Sequence, residues 1–533
     1  MASGAVQQTH NYSTAAAHGR TQALRSSRSF VRWFGGMLTL VFVSQLLFTT
    51  MVRAYVVPKL TPQAHWQFGI QKMTDSAFFH EEAMKLVTTL REQGWPALDN
   101  QVYEGLLHTK IVAGVYYLAG EDNPWWVYGL NAFMAAFSAA LLFAFARLAG
   151  LSLMAAAALA GLLSTGPLYL FSHSELLREP FVVPLVLTFW IGLLVVARSP
   201  GLTQSVSGQC SLLLVGAFLT CIGFIGVSRF RPYLLLPMLL ASVATLALSL
   251  IGTLVARAGW GVVIRQGLTA ALIPIGLLQG YVRPQLGEVQ QYAEKSVSSE
   301  EAEQMDKATA EQRAVLRKKI DATARLSRGS GAPLSARDES PTESAELQRT
   351  DLLVLHKCSV QWRHTPGVPA GIEAKLESLA CGRQDFLRFC DPAFMGSRAD
   401  RRCDTVNFAS LGELLVHVPA AVAFGVLAPY PNMWLDDFGS GGSGVRRAGY
   451  VVDGVVAYSL IPGLLGLFFF STRGRQSWEL LALVGGLVVV LLVYSLGVPS
   501  QFILARMRLA FYLPLLILAA VGWGRLFDAR RSV

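Results

Sequence analysis

The residues best equipped for chemistry in this chain fall into a few short stretches. Thr74-Asp75-Ser76-Ala77-Phe78-Phe79-His80-Glu81-Glu82-Ala83 concentrates carboxylates and a histidine just after the first apolar run. As a helix start, this stretch would set Asp75, Phe79 and Ala83 on one face, four residues apart. Asp75 is then either the cap of that helix or a carboxylate presented to a site. Two arginine pairs interrupt otherwise apolar sequence: Arg229 and Arg231 within Ser228-Arg229-Phe230-Arg231-Pro232-Tyr233, and Arg506 and Arg508 within Ala505-Arg506-Met507-Arg508. A carboxylate can take up a proton. Fixed guanidinium groups can hold phosphate oxygens, or can reach lipid headgroups by snorkelling. Arg178 lies close to Glu175 and Glu179, where a local ion pair competes with an orienting role. His80, Glu81 and Glu82 read either as solvated polar surface or as ligands for a divalent cation. His356 and His364, near Trp362, read as parts of a small folded loop or as acceptor contacts.

These groups must be positioned by apolar helices. The 533 residues are 53% hydrophobic and 15% charged, against roughly 25% charged in an ordinary soluble domain, so lipid is the solvent for much of the chain. The net charge of +10 does not mark a nucleic-acid binder, because the arginines gather at the ends of apolar runs rather than along a basic stripe. A span needs about 20 apolar residues. About ten candidates meet that need: 33–52, 125–146, 151–171, 181–197, 211–227, 234–255, 262–281, 448–470, 478–498 and 509–523. Arg20, Arg25, Arg28, Arg32, Arg147, Arg198, Arg257, Arg265, Arg473, Arg475, Arg525, Arg530 and Arg531 then lie on the side that the positive-inside rule makes cytoplasmic, with both termini. The arginine pairs at 229/231 and 506/508 fall on the outer side, against that bias, which is what marks them for function.

This topology divides the chain into a cytoplasmic tail (1–32), a first group of seven spans (33–281) carrying an outer loop (58–124), and an extracytoplasmic loop and cap (282–410). An interfacial helix with a Gly-rich turn (411–447) and three final spans with a short tail (448–533) follow. The segment 411–427 is apolar, but inserting it would turn the C-terminal arginines outward, so it is laid along the outer surface. Within the large loop the spacing predicts a helix over 298–325 with a Ser-x-x-Glu start, a flexible linker over 327–344, and a cap of low regular structure. Cys358, Cys381, Cys390 and Cys403 share that loop and have no C-x-x-C spacing, so they read as disulfide partners with the pairing open. No metal ligand is assigned.

The first loop resembles that of the GT-C glycosyltransferases of the protein O-mannosyltransferase and lipid A aminoarabinose transferase type. Their D-E-x-x-Y-x-x-x-A pattern is matched by Asp75, Phe79 and Ala83, and a later Tyr-rich stretch by Val115-Tyr116-Tyr117-Leu118-Ala119-Gly120. Ser76 replaces the second acid of the pattern. The similarity runs from about Asp75 to Val183, and more loosely over the last three spans. It implies an all-α, GT-C-like polytopic bundle with a disulfide-bearing extracytoplasmic cap. The implied activity moves a sugar from a polyprenyl-phosphate donor to a hydroxyl on an acceptor lipid, glycan or protein, at the outer face of the inner or plasma membrane. Asp75 is then the general base, and Arg229, Arg231, Arg506 and Arg508 hold the departing phosphate. Arg178, Glu179, Glu82 and His80 are auxiliary. No cofactor is demanded, with a divalent cation as the alternative.

Two other functions fit the same outline. An O-antigen-type polymerase or ligase would use diphosphate-linked glycan and depend on a His or Arg of the large loop rather than on Asp75. A transporter or flippase would place ionisable groups near the membrane midplane, usually with inverted repeats; the spans here carry almost no such groups and no repeat is visible.

Overall fold

In lipid every backbone N–H and C=O must find a partner within its own segment, so the long apolar runs become helices. The computed structural model describes residues 29–60, 68, 70, 75–96, 98, 106–203, 205–255, 360–387, 390, 403–428, 430, 443–470 and 476–531, with isolated positions between 261 and 277. These residues are helical, with no β-strand among them and only two isolated bridges, Arg363 to Ser410 and Cys403 to Ser500. The helices are α1 (Ser29–Lys59), α2 (Asp75–Gln93), α3 (Leu106–Ala119), α4 (Trp125–Ala149), α5 (Leu153–Ser164), α6 (Pro167–His173) and α7 (Glu179–Leu202). They continue as α8 (Val206–Phe230), α9 (Leu235–Val255), α10 (Ala370–Leu387), α11 (Leu411–Leu427), α12 (Ser443–Phe469), α13 (Gln476–Gly497) and α14 (Gln501–Arg531).

Seven of these helices are long and apolar enough to cross a membrane, or eight if α5 and α6 count as one bent span, where hydropathy predicts about ten. The difference has identifiable causes. The segment expected as one span over 151–171 breaks into α5 and α6, which meet at 61°. Pro167 at the start of α6 cannot continue a helix and pushes Gly166 to an extended ψ of 146°. The expected span over 448–470 belongs to α12, whose apolar part runs only from Gly454 to Phe469. The 262–281 span lies mostly outside the described residues, as do the N-terminal tail up to residue 28, the predicted 298–325 helix, the 327–344 linker, His356 and Cys358.

Small residues set how closely the spans approach. α7 is buried nearly all round, and α8 lies against it. A methyl group added at Gly192 of α7 would stand 2.5 Å from the Thr220 nitrogen and 2.6 Å from the Gly216 oxygen of α8. The same close approach recurs where Gly466 of α12 would meet the Gly522 carbonyl of α14 at 2.5 Å. This is the small-residue packing on which membrane helices rely when lipid is as apolar as their own side chains. The outward faces of α1 and α8 are correspondingly apolar and exposed, at Leu40, Leu47, Leu214 and Phe218 for example.

The segment expected as the first outer loop contains a packed helical pair. Ala83, Leu86, Val87 and Leu90 of α2 meet Val112, Ala113 and Tyr116 of α3, with Leu176 closing the cluster. The cap holds more regular structure than the sequence predicts, because α10 forms an 18-residue helix there. Its buried Arg383 donates to the carbonyls of Val406 (2.7 Å), Ser495 (2.9 Å), Leu496 (3.1 Å) and Asp404 (2.9 Å), and pairs with the Asp404 carboxylate at 2.9 Å. Five partners for one guanidinium clamp the cap onto the last turn of α13. Cys390 and Cys403 are joined by a disulfide, and Cys381 is also disulfide-bonded. Glu373 accepts from Thr365 N–H, His364 and Trp362, and the Thr365 bond above all holds its carboxyl below the usual range. His364 and Trp362 are therefore tied into the cap's own fold.

α11 starts at Ser410, whose hydroxyl accepts from Glu413 N–H. With 17 residues it is about 25 Å long, short of the roughly 30 Å apolar core of a bilayer. Its Gly425 sits against Leu491 and Ser495 of α13.

Replacing Gly192 with Val forces α7 and α8 apart and is expected to cost about 1–3 kcal/mol or more. Gly485→Ala, at an exposed site with open space around it, is expected to gain about 0.5–1 kcal/mol through helix propensity. Thermal melting of the two variants in detergent, relative to the parent chain, should move in opposite directions.

Candidate active site

The site is built where one end of the bundle brings several helix termini together. α1 carries a π-helical turn at Val52–Val56 near its end, and Arg53 in that turn is buried. Its Nε donates to the Ser174 carbonyl at 2.9 Å, and its Nη2 pairs with Glu175 at 3.2 Å. Asn131 of α4 donates to the Glu175 carbonyl at 2.7 Å. The turn between α6 and α7 is therefore pinned from two helices, and it presents Glu175, Arg178 and Glu179 in a fixed arrangement.

Glu179 opens α7, where the helix dipole favours a negative charge. Its buried carboxylate accepts from Arg231 Nη2 at 2.6 Å and lies 3.2 Å from Arg506 Nε. Arg231 also donates to the Tyr494 hydroxyl, at 3.2 Å. Arg506 then reaches outward, its Nη2 2.6 Å from Asp75 Oδ2. The result is one continuous chain, Tyr494–Arg231–Glu179–Arg506–Asp75, that links α13, α8, α7, α14 and α2. Exposure rises along it. The side chains of Arg231 and Glu179 are 4% and 5% exposed, that of Arg506 is 20% exposed, and that of Asp75 is 54% exposed.

Asp75 is the first residue of α2, and of the face predicted from the four-residue spacing Asp75 and Phe79 meet the arginines, while Ala83 packs against α3. Phe79 lies beneath the Arg178 guanidinium, 5.0 Å from it, and Ala83 is buried. Arg178 also donates to the Phe230 carbonyl at 3.4 Å, so it leans toward the end of α8. Three guanidinium groups, Arg178, Arg231 and Arg506, surround two carboxylates, Asp75 and Glu179, which leaves one net positive charge.

Each arginine pair divides. Pro232 ends α8 and leaves Arg231 extended (φ −146°, ψ 74°), which turns it into the bundle, while Arg229 stays on the exposed helix face. On α14, residues 506 and 508 lie about 200° apart around the axis. Arg508 consequently points away from Asp75. It donates to the Gly425 carbonyl at 2.8 Å and to the Ala428 carbonyl, and stacks over Tyr512, so it secures the C-terminal end of α11. Of the four arginines expected around a phosphate, the structure brings Arg231 and Arg506 together with Asp75, and places Arg229 and Arg508 elsewhere.

The remaining candidates separate in the same way. His80 is buried and its Nδ1 lies 2.8 Å from the Tyr116 hydroxyl, which makes it a link between α2 and α3. Glu82 pairs with Lys85 at 2.7 Å on the same helix, away from the arginines. Among the described residues no group of three or more His, Cys, Asp or Glu side chains is placed to hold a metal ion. Arg53, Tyr494 and His108 belong to the neighbourhood and were not singled out by sequence. Arg53 carried a usable signal, since it is another arginine at an end of an apolar run that the expected topology places outside; Tyr494 and His108 carried none.

His108 of α3 is fully buried, with Phe79 and Phe181 against its ring at 4.7 and 5.8 Å between centroids. Burial, reinforced by Arg178, pushes its pKa down to about 3. His80 is also shifted down by burial. No protein-family model and no curated protein matches this chain.

A histidine whose folded-state pKa lies below the unfolded value of about 6.5 costs stability as pH falls, because the unfolded chain takes up the proton first. The contribution of His108 is fully present above about pH 6.5 and is lost progressively toward pH 3. Between pH 7 and pH 5 the folded state should lose about 2 kcal/mol from this group alone. His108→Phe, which keeps a ring against Phe79 and Phe181, should flatten the decline of melting temperature over that interval.

Proposed function

We propose that this chain is an integral-membrane glycosyltransferase that moves a sugar from a polyprenyl-phosphate donor to a hydroxyl of an acceptor lipid, glycan or protein. The observation that carries this reading is the meeting of a half-exposed carboxylate, Asp75, with two guanidinium groups rooted in the bundle, Arg231 and Arg506. The chemistry asks for those two functions together. A sugar on a lipid phosphate already has a good leaving group, so a catalyst must take the proton from the attacking hydroxyl and stabilise the charge released on phosphate.

In a single displacement, Asp75 accepts the acceptor hydroxyl proton as its oxygen attacks the anomeric carbon. The bond from that carbon to the phosphate oxygen breaks, and its electron pair leaves with the polyprenyl phosphate, giving inversion. Arg506 and Arg231 face the developing charge, and Glu179 keeps both guanidinium groups at fixed depth. Arg178, 5.0 Å above Phe79, adds a further positive group beside them.

Charge distribution supports an extracytoplasmic site. The opposite ends of the spans carry Arg147, Arg198 and Arg525, with Arg198 bonded to the Leu148 carbonyl and paired with Glu479 at 3.7 Å. The positive-inside rule makes that end cytoplasmic.

Purified protein in lipid nanodiscs, offered a panel of radiolabelled polyprenyl-phosphate sugars, should transfer or release label from one of them. Asp75→Asn should lower that rate by about 10²- to 10⁴-fold, the usual contribution of a general base. Equal release by both proteins would remove Asp75 from the reaction.

A further inference from the structure

Arg506 is held by two carboxylates of different standing. Glu179 is 5% exposed and is itself fixed by Arg231, whereas Asp75 is 54% exposed and, as the first residue of α2, lies at the solvent end of the chain. Breaking the inner contact would strand a buried charge. The outer contact involves a half-exposed group, and pairs of that kind contribute little and exchange readily. Any anion that approaches from outside therefore meets Arg506 already occupied, and the occupant it can displace is Asp75.

We propose that the Asp75–Arg506 ion pair is a displaceable latch: a lipid phosphate takes the place of Asp75 on Arg506, and only then is the carboxylate released to act on an acceptor. The inference rests on the glycosyltransferase reading and adds an order to it, with the donor binding before the base becomes active. While paired with Arg506, the Asp75 carboxylate has one lone-pair direction occupied by a charged donor. Its departure changes the local balance. With Asp75 on Arg506, three guanidinium groups face two carboxylates; with Asp75 displaced, Arg178, Arg231 and Arg506 remain around Glu179, while the nearby Glu175 is paired with Arg53. The phosphate thus enters a cradle with two net positive charges, and the released carboxylate stands beside the bound donor rather than against its own arginine. Such an arrangement keeps the base idle until a sugar is present, which limits futile chemistry with water.

The latch makes Asp75 a competitor of phosphate, so removing its charge should tighten phosphate binding even though it abolishes transfer. A residue serving only as base, or only as a structural cap for α2, would not produce that opposite pair of effects. Isothermal titration of the full chain in a neutral maltoside detergent at pH 8 would compare dodecyl phosphate, inorganic phosphate and dodecylphosphocholine. Asp75→Asn should bind dodecyl phosphate about three- to tenfold more tightly than the parent, and Asp75→Ala should do the same. Arg506→Gln should weaken binding at least tenfold. Weaker binding of inorganic phosphate than of dodecyl phosphate supports a lipid-borne headgroup, and equal binding of the two overturns that part of the proposal. Unchanged or weaker dodecyl phosphate affinity in both Asp75 variants, with melting temperatures matching the parent, overturns the latch, as does the absence of binding to every form. If Asp75→Asn loses sugar transfer with no change in affinity, the enzyme assignment stands and the latch falls. If affinity tightens but no form transfers sugar, the latch stands and the enzyme assignment falls.

Discussion

The arrangement depends on one buried carboxylate. Glu179 sits where α7 begins and is closed in on both sides by Arg231 and Arg506, at 2.6 and 3.2 Å. An isolated carboxylate at this depth would cost several kcal/mol in lost hydration. Two guanidinium groups and the positive end of α7 offset that cost together. In return, Glu179 fixes the relative positions of α7, α8 and α14 at the end of the bundle where they must meet. The tight glycine contacts between α7 and α8 leave these helices little freedom to slide, so Arg231 and Glu179 are held in register by backbone packing as well as by charge.

From this centre the charge pattern grades outward. Tyr494 and Arg231 are buried, Arg506 is partly open, and Asp75 is half exposed. A chain of alternating charge that runs from core to surface has one exchangeable link, at its outer end. Helix α9 presents an exposed apolar face, with Leu236 and Leu240 on it, whereas α14 is buried over most of its length. The cap contributes indirectly. Arg383 fastens α10 to the end of α13, and the short bridge from Cys403 to Ser500 connects the disulfide-bearing segment to the residue just before α14. The position of Arg506, one and a half turns further on, is therefore anchored by the segment around Arg383 and Cys403 as well as by the bundle.

Much of this was legible in the sequence wherever composition or short-range spacing carried it. Long apolar runs gave α1, α4, α7, α8, α9, α13 and α14, and arginines that break into apolar sequence at 231 and 506 singled out helix ends that converge. The four-residue spacing gave the face shared by Asp75, Phe79 and Ala83. What stayed hidden depended on geometry. Both members of each arginine pair look alike in sequence, yet a helix separates i and i+2 by more than half a turn, and only one of each pair can face the same partner. Pro167 is visible as a helix breaker, but an apolar window averages across it, so the bend between α5 and α6 was missed. Arg383, a single arginine in a polar loop, has nothing around it in sequence to reveal its five acceptor atoms on two distant segments.

Asp75 at the start of α2 and Arg506 on α14 meet although they lie more than four hundred residues apart in sequence. The direct measurement is cross-linking in native membranes. In a chain whose free cysteines Cys210 and Cys221 are replaced by serine, Asp75→Cys and Arg506→Cys are introduced together and treated with a short bismaleimide. A rapid intramolecular link between residues 75 and 506 is expected, and none between 75 and a cysteine at Arg198. A link to position 198, or none to 506 while both thiols react singly with maleimide, would contradict it.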